Sequence, residues 1–254
     1  MKTHILSARH AAVALTCAVA LGSLTACNGD SDAAKSASGS TPSKGAEASP
    51  AAKPNGIDKL SAKEIYNTGM KTNAAAGSFR EKMERDGNKS DLRLSATECV
   101  GTVEISEKGS FEIIRKGNDI WAKADSTFAK GMNSALGKTA FSTGKWTHGT
   151  PSNALMAKLA SWCHQEQFTA PDTLDAGSKA TKGKVTTVDG QEAVAVALAE
   201  KGESVTWYVA TTGKSYFIKQ DSTRDDMQDL TDSEFGKPVG AKAPAGPVVE
   251  APTV

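Results

Sequence analysis

Phe111-Glu-Ile-Ile-Arg-Lys-Gly-Asn-Asp-Ile-Trp-Ala-Lys123 decides how this chain folds. Two short apolar runs flank Gly117-Asn118-Asp119, and such a cluster between strand-like segments marks a tight turn. The same grammar extends upstream. Lys108-Gly109 closes a turn behind residues 99–105, where Cys99, Gly101, Val103 and Ile105 share one face and Glu98, Thr102 and Glu104 the other. Further back, residues 79–85 and 92–96 flank Asp86-Gly87-Asn88-Lys89, whose Asp-Gly pair is a hairpin signal. This part of the chain is therefore expected to form a meander of short antiparallel strands.

Downstream of the quoted stretch the period becomes helical. Residues 126–136 form a candidate helix stopped by Gly137. Residues 152–165 form a second, with Leu155, Leu159 and Trp162 on one stripe, Met156 and Cys163 beside it, and Pro151 and Pro171 as punctuation. Alternation then returns. Asp189-Gly190 joins residues 184–188 to 192–199, and Thr212-Gly213-Lys214 joins 204–210 to 215–220. Val205, Trp207 and Val209 oppose Thr206 and Tyr208, as in a sheet with one solvated face. Ahead of the first meander, Ser61-Ala-Lys-Glu64 is a capping box that opens a helix through Ile65, Thr68, Met70 and Thr72 to Gly77. The fold class is α+β: a curved antiparallel sheet, a half-barrel of meanders, with helices on its concave side.

The N-terminus carries an address. Lys2 and Arg9 precede an apolar core of 12 residues from Ala11 to Gly22, too short to cross a bilayer, which takes about 20 residues. Leu24-Thr25-Ala26-Cys27 follows and resembles the lipobox of bacterial lipoprotein signal peptides. The resemblance implies cleavage after residue 26 and lipidation of Cys27, palmitate included. The protein would then sit on the outer face of the cytoplasmic membrane; the alternative is an ordinary secretory signal with an incidental cysteine. Residues 27–56 lack aromatic and large aliphatic side chains and read as a disordered tether. Residues 57–240 have the size of one domain, and 241–254, rich in Pro and Ala, read as a flexible tail after a final edge contact. Without residues 1–26 the chain holds 28 basic and 29 acidic groups, a balance that offers nucleic acid no basic patch. Cys99 and Cys163 remain, and in an exported protein two remaining cysteines are expected to pair; the alternative is two free thiols.

The lipobox, tether and capped helix lead into the stretch 111–123, then Gly144-Lys-Trp146, a helical middle and Trp207-Tyr-Val-Ala-Thr-Thr-Gly-Lys-Ser-Tyr216. In this order the chain resembles the actinobacterial lipoproteins related to LppX and LprG, whose fold is similar to that of the lipoprotein carrier LolA. The resemblance spans about residues 58–240. It implies a strongly curved antiparallel sheet wrapped around helices, enclosing an apolar cavity for acyl chains. The sheet segments here carry few large aliphatic side chains, which points to a small or filled cavity.

Catalytic and metal motifs fail on inspection. Gly213-Lys214-Ser215 has Tyr208 where a phosphate loop needs its first glycine, and it lies between strands. Cys163, His164, Glu166 and His148 lack the paired spacing of a zinc site. No Gly-x-Ser-x-Gly elbow occurs. The acidic run Asp221, Asp225, Asp226, Asp229, Asp232 and Glu234 lacks the spacing and central glycine of a calcium loop and reads as a solvated loop. No enzyme activity, cofactor or metal is expected. The functional candidates are apolar: Leu92, Leu94, Val103, Ile105, Trp121, Leu155, Leu159, Trp162 and Trp207 would line the cavity of a carrier or pack the core of an interaction module. The first reading binds a lipid or other amphiphile; the alternative is a sensor or interaction module with a cell-envelope protein partner.

Overall fold

Asp86-Gly87 and Asp189-Gly190 adopt the left-handed backbone of tight hairpins, with φ of 50° and 76° in the first pair and 49° and 82° in the second. The structure, a computed structural model, describes residues 53–253 apart from Ala176, Lys201 and Asp226. Residues 1–26, Cys27 and the tether up to Ala52 lie outside the described residues. The body opens with α1 (Ala62–Ala76), followed by the five-strand meander β1 (Ser78–Arg85), β2 (Asn88–Ser95), β3 (Glu98–Ile105), β4 (Gly109–Lys116) and β5 (Asp119–Ala124). Next come α2 (Ser126–Leu136), β6 (Trp146–Gly149), α3 (Ala154–Ala160), a 3-10 turn (Ser161–Cys163) and α4 (Glu166–Thr169). A second meander follows, β7 (Ala180–Val188), β8 (Gln191–Glu200), β9 (Glu203–Ala210), β10 (Phe217–Ser222) and β11 (Asp229–Ser233), and then β12 (Val248–Glu250).

Among the described residues the twelve strands form one curved, unclosed sheet in the order β12-β6-β5-β4-β3-β2-β1-β11-β10-β9-β8-β7. Every neighbouring pair is antiparallel except β12 with β6. Within each meander neighbours in sequence are neighbours in space. The β1–β11 ladder, from Arg80↔Ser233 to Glu84↔Asp229, joins the two.

Registered partners share a face, so the pairings trace one inner face across the sheet. Leu92 stands opposite Glu81 and Gly101, and Phe111 opposite Val103 and Ala124. At Gly101 the backbones of β2 and β3 come close: a Cβ there would stand 2.0 Å from the Asp91 carbonyl oxygen, so only glycine fits. Two apolar clusters cover this face. In one, Leu92, Leu94, Val103, Phe111 and Ile113 pack beneath Phe128 of α2 and Leu155, Met156 and Leu159 of α3. In the other, Ile65 and Tyr66 of α1 pack on Val194, Val196, Val205, Trp207, Val209 and Phe217. Burial of each such side chain contributes about 2 kcal/mol. Ser61 and Glu64 make the expected capping box on α1, and Gly77 ends that helix at φ 77°. Gly69 lets α1 approach: a Cβ there would lie 3.0 Å from Val209 Cγ2.

The structure departs from the sequence reading in four places. The helix expected over 152–165 breaks into α3, the 3-10 turn and α4, because Cys163 is bound to Cys99 on β3, with Cα atoms 5.9 Å apart, and His164 turns left-handed at φ 38°. The acidic run 221–234 ends in a strand over 229–233 rather than a solvated loop, since the free edge of β1 offers β11 a full ladder. The last described residues of the expected tether are paired with the body, the Asn55 N–H donating to the Thr211 carbonyl and the Gly213 N–H to that of Lys53. The tail is docked over its residues 248–252, with β12 beside β6, the Ala251 N–H donating to the His148 carbonyl at 2.7 Å and Asn153 Nδ2 donating to the Pro252 carbonyl. An unpaired edge at β6 supplies the partners that the tail's composition does not reveal.

His148 fastens that tail on the outer face. Its Nδ1 lies 2.9 Å from Glu250 Oε1, its Nε2 3.0 Å from Asp119 Oδ1, and its ring packs against Trp121 at 5.2 Å. Burial opposes the charged imidazole, but the two carboxylates prevail and raise its pKa above the usual histidine value. The clamp is complete at low pH and is lost as pH rises through this raised value. Amide exchange at residues 248–251, corrected for intrinsic rates, is therefore expected to be slower at pH 6 than at pH 8.5. In His148→Gln the difference should vanish.

Candidate ligand cleft

The inner face is apolar along most of its width, with one interruption at the seam. On β1 the inward residues are Phe79, Glu81 and Met83, and on β11 Leu230 and Asp232. Glu81 and Asp232 face each other in register, 4% and 6% exposed. Like charges opposite one another destabilise a sheet, and burial penalises each carboxylate further. Burial raises the Glu81 pKa, partly offset by His164. Burial and the neighbouring Glu81 lift Asp232 well above the carboxylate range, against the opposing hydrogen bond from Asn73. The pair therefore holds a proton at pH values where free carboxyl groups have lost theirs.

The surrounding elements position this pair without satisfying it. Asn73, buried on α1, donates from Nδ2 to Asp232 Oδ2 and to the Phe217 carbonyl, each at 3.0 Å, and accepts the Phe217 N–H at 2.9 Å. Asp232 Oδ1 has no hydrogen-bond partner among the described residues. The Gln167 side chain lies beside Glu81 and favours its charged form. The disulfide sets Cys163, and hence His164 and the α4 segment, over the sheet at this point. Asn67 on α1 holds the following loop through a reciprocal pair with the Leu174 backbone at 3.2 and 2.8 Å. Trp207 Nε1 donates to Gln220 Oε1 at 2.7 Å, and Gln220 Nε2 to the Gln228 carbonyl.

These groups line a cleft of about 350 Å³ between α1, the 164–172 segment and strands β1 and β9–β11. Tyr66, Met70, Trp207 and Phe217 make its apolar wall, and Glu81 and Asp232 lie at the seam beneath. The volume falls in the range of small-molecule sites, which combine apolar walls with a few convergent polar groups. A larger hollow of about 570 Å³ lies among β1, β2, β3 and β11. Among its charged residues Lys82 lies 3.9 Å from Asp91 and Lys89 3.3 Å from Glu84. Among the described residues no cluster of three or more His, Cys, Asp or Glu has the geometry of a metal site, and no helix is long and apolar enough to cross a membrane.

The nine apolar candidates fall into different places. Leu92, Leu94, Val103, Leu155 and Leu159 are packed core, with Ile105 and Trp162 against its border. Trp121 points to the outer face, in register with Ile114 and His148. Trp207 alone of the nine lines the cleft. Of the seam pair, Asp232 reads in the sequence only as part of a solvated acidic run, and Glu81 is not singled out. Glu81 stood in the sequence between Phe79 and Met83 at an inward position, which was the available signal.

No family model and no curated protein matches the chain. Among solved structures, an uncharacterized conserved protein from Thermus thermophilus is similar at TM-score 0.35 and 8% identity, over 74% of this chain and 98% of that one. MucB, in a structure with MucA(peri), is similar at TM-score 0.36 and 15% identity, over 74% of this chain and 62% of MucB. PNGF-II is similar at TM-score 0.23 and 9% identity, over 68% of this chain and 30% of that one.

Two outcomes follow from the geometry. Because the folded state holds protons on the Glu81–Asp232 pair that the unfolded chain releases, stability from this source is greatest at low pH and falls as pH rises through the raised values. Asp232→Asn is expected to melt above the wild type at pH 7, with the gap closing toward pH 4 in a calorimetric series. Reducing the Cys99–Cys163 bond, which spans a sequence separation of 64, is expected to cost about 4 kcal/mol on the chain-entropy model. Calorimetry with and without reductant should show a fall of roughly 10 °C.

Proposed function

We propose that this protein is a non-enzymatic binding protein, tethered through Cys27 to the outer face of the cytoplasmic membrane, that takes a lipid or another amphiphile into the cleft beside α1. The observation that carries the reading is the cleft itself: an apolar wall of Tyr66, Met70, Trp207 and Phe217 meeting a polar seam at Glu81 and Asp232. A ligand matched to it has an apolar body and one polar head. Transfer of the body from water or a bilayer edge would be driven by burial, at about 0.8 kcal/mol for each CH₂ removed from water. The resemblance to the LppX and LprG lipoproteins supports the same class of ligand, and the lipobox at Leu24-Thr25-Ala26-Cys27 supports the anchor. Acyl anchoring would keep the cleft at high local concentration near the membrane.

Native and denaturing mass spectrometry of the chain recovered from a bacterial host separates the two lipids. An anchor on Cys27 stays with the denatured chain, whereas a cleft ligand leaves it. The expected result is a stoichiometric mass lost on denaturation, together with labelled palmitate that is incorporated by the wild type and absent from Cys27→Ser. A native mass that matches the denatured one, with no uptake from added phospholipid vesicles, would overturn the amphiphile reading in favour of an interaction module for an envelope protein.

A further inference from the structure

Resting on the amphiphile reading of the cleft, we infer that its ligand carries a positively charged ammonium head, held by Glu81 and Asp232 with the rings of Trp207 and Tyr66 beside it. The first ground is the sorting of charge. The chain as a whole balances 30 Lys and Arg against 29 Asp and Glu, yet the ionisable cleft residues are acidic apart from Tyr66 and His164. Glu81 comes from β1, Asp232 from β11, and Glu166 and Asp172 from the segment that covers the seam. No lysine or arginine lines the cleft among the described residues. An anionic head would meet four carboxyl groups without a compensating cation, and such an arrangement rejects it.

The second ground is an unused acceptor. Asp232 lines the cleft and is 6% exposed; its Oδ2 is taken by Asn73, and its Oδ1 is buried without a donor among the described residues. A buried acceptor in that condition is costly to the fold, and an N–H of an ammonium group supplies what it lacks. The third ground is the wall. Tyr66 and Trp207, which line the same cleft, meet edge to face at 4.8 Å, and aromatic faces attract cations, most of all when water is excluded. Trp207 is held by Gln220 and α1 is held against the sheet by Asn73, so the wall is preformed.

Binding of the cation and of the proton compete. The carboxyl pair releases its proton when an ammonium arrives, so affinity should rise with pH. The groups facing the pair are His164 and Glu166 from the covering segment, Asp172 beyond α4 and Tyr66 from α1. Tyr66 stays a neutral hydroxyl throughout, its pKa pushed up to about 12 by burial and by Asp172.

Isothermal titration of the full chain with dodecylammonium, dodecyltrimethylammonium and dodecanoate, each below its micelle concentration, tests the inference. Dodecylammonium is expected to bind at least tenfold more tightly than dodecanoate, more tightly at pH 7.5 than at pH 5, and at least tenfold more weakly to Asp232→Asn and to Glu81→Gln. Dodecyltrimethylammonium, which lacks N–H donors, should bind between the two. Lysophosphatidylethanolamine separates the sources: binding comparable to the amine assigns a membrane-lipid head, and its failure beside a binding amine assigns a free amine. Dodecanoate binding as well as dodecylammonium, or equal binding by wild type and both variants, would overturn the ammonium inference and leave the amphiphile reading standing. Failure of every amphiphile would overturn both.

Discussion

The β1–β11 ladder is the constraint on which the rest of the molecule depends. Each meander can form from local hairpins, but neither covers an inner face by itself. Pairing Arg80–Glu84 with Asp229–Ser233 makes one curved surface of them, and that surface needs the helices to close it. The outer side of the seam is fastened by two arginines: Arg80 grips Asp91 through Nε at 2.6 Å, and Arg93 Nε meets Glu234 at 2.9 Å. Such exposed pairs are individually modest, and their value here is in holding register across a junction distant in sequence.

The inner side of the same seam does the opposite. Two carboxyl groups face each other where apolar side chains would pack at less cost, and the two apolar clusters part around them. Natural folds keep buried polar groups with incomplete hydrogen bonding mainly where a ligand or a reaction uses them. Asn73 and the disulfide-held segment beside Gln167 stabilise the arrangement enough for it to persist, and leave Asp232 Oδ1 open. The reading of the cleft as a binding site follows from that imbalance rather than from the size of the hollow.

Local chemistry was legible where local chemistry decides. Ser61 and Glu64 cap α1, Asp86-Gly87 and Asp189-Gly190 close their hairpins, and Gly137 stops α2, because each depends on backbone and side-chain preferences within a few residues. Alternation placed Cys99, Gly101 and Val103 on a common face, and exported-protein logic paired Cys99 with Cys163. Alternation could not say which face is inner. Trp121, bulky and apolar, points outward with His148, while its small neighbour Ala122 is in the core. Residues 229–233 carry too much charge to read as a strand, and become one because β1 has an edge to fill.

The sequence by itself determined the α+β class, the hairpins, the helix caps and the cysteine pair, since all of these are written in short-range patterns of polarity, turn residues and spacing. The tertiary structure alone decided the cleft. Glu81 and Asp232 are 151 positions apart, and nothing near either residue announces the other. Their meeting, the break of the helix at His164, and the docking of the tail on β6 come from long-range strand pairing, in which the unmet hydrogen bonds of one edge select a distant segment of chain.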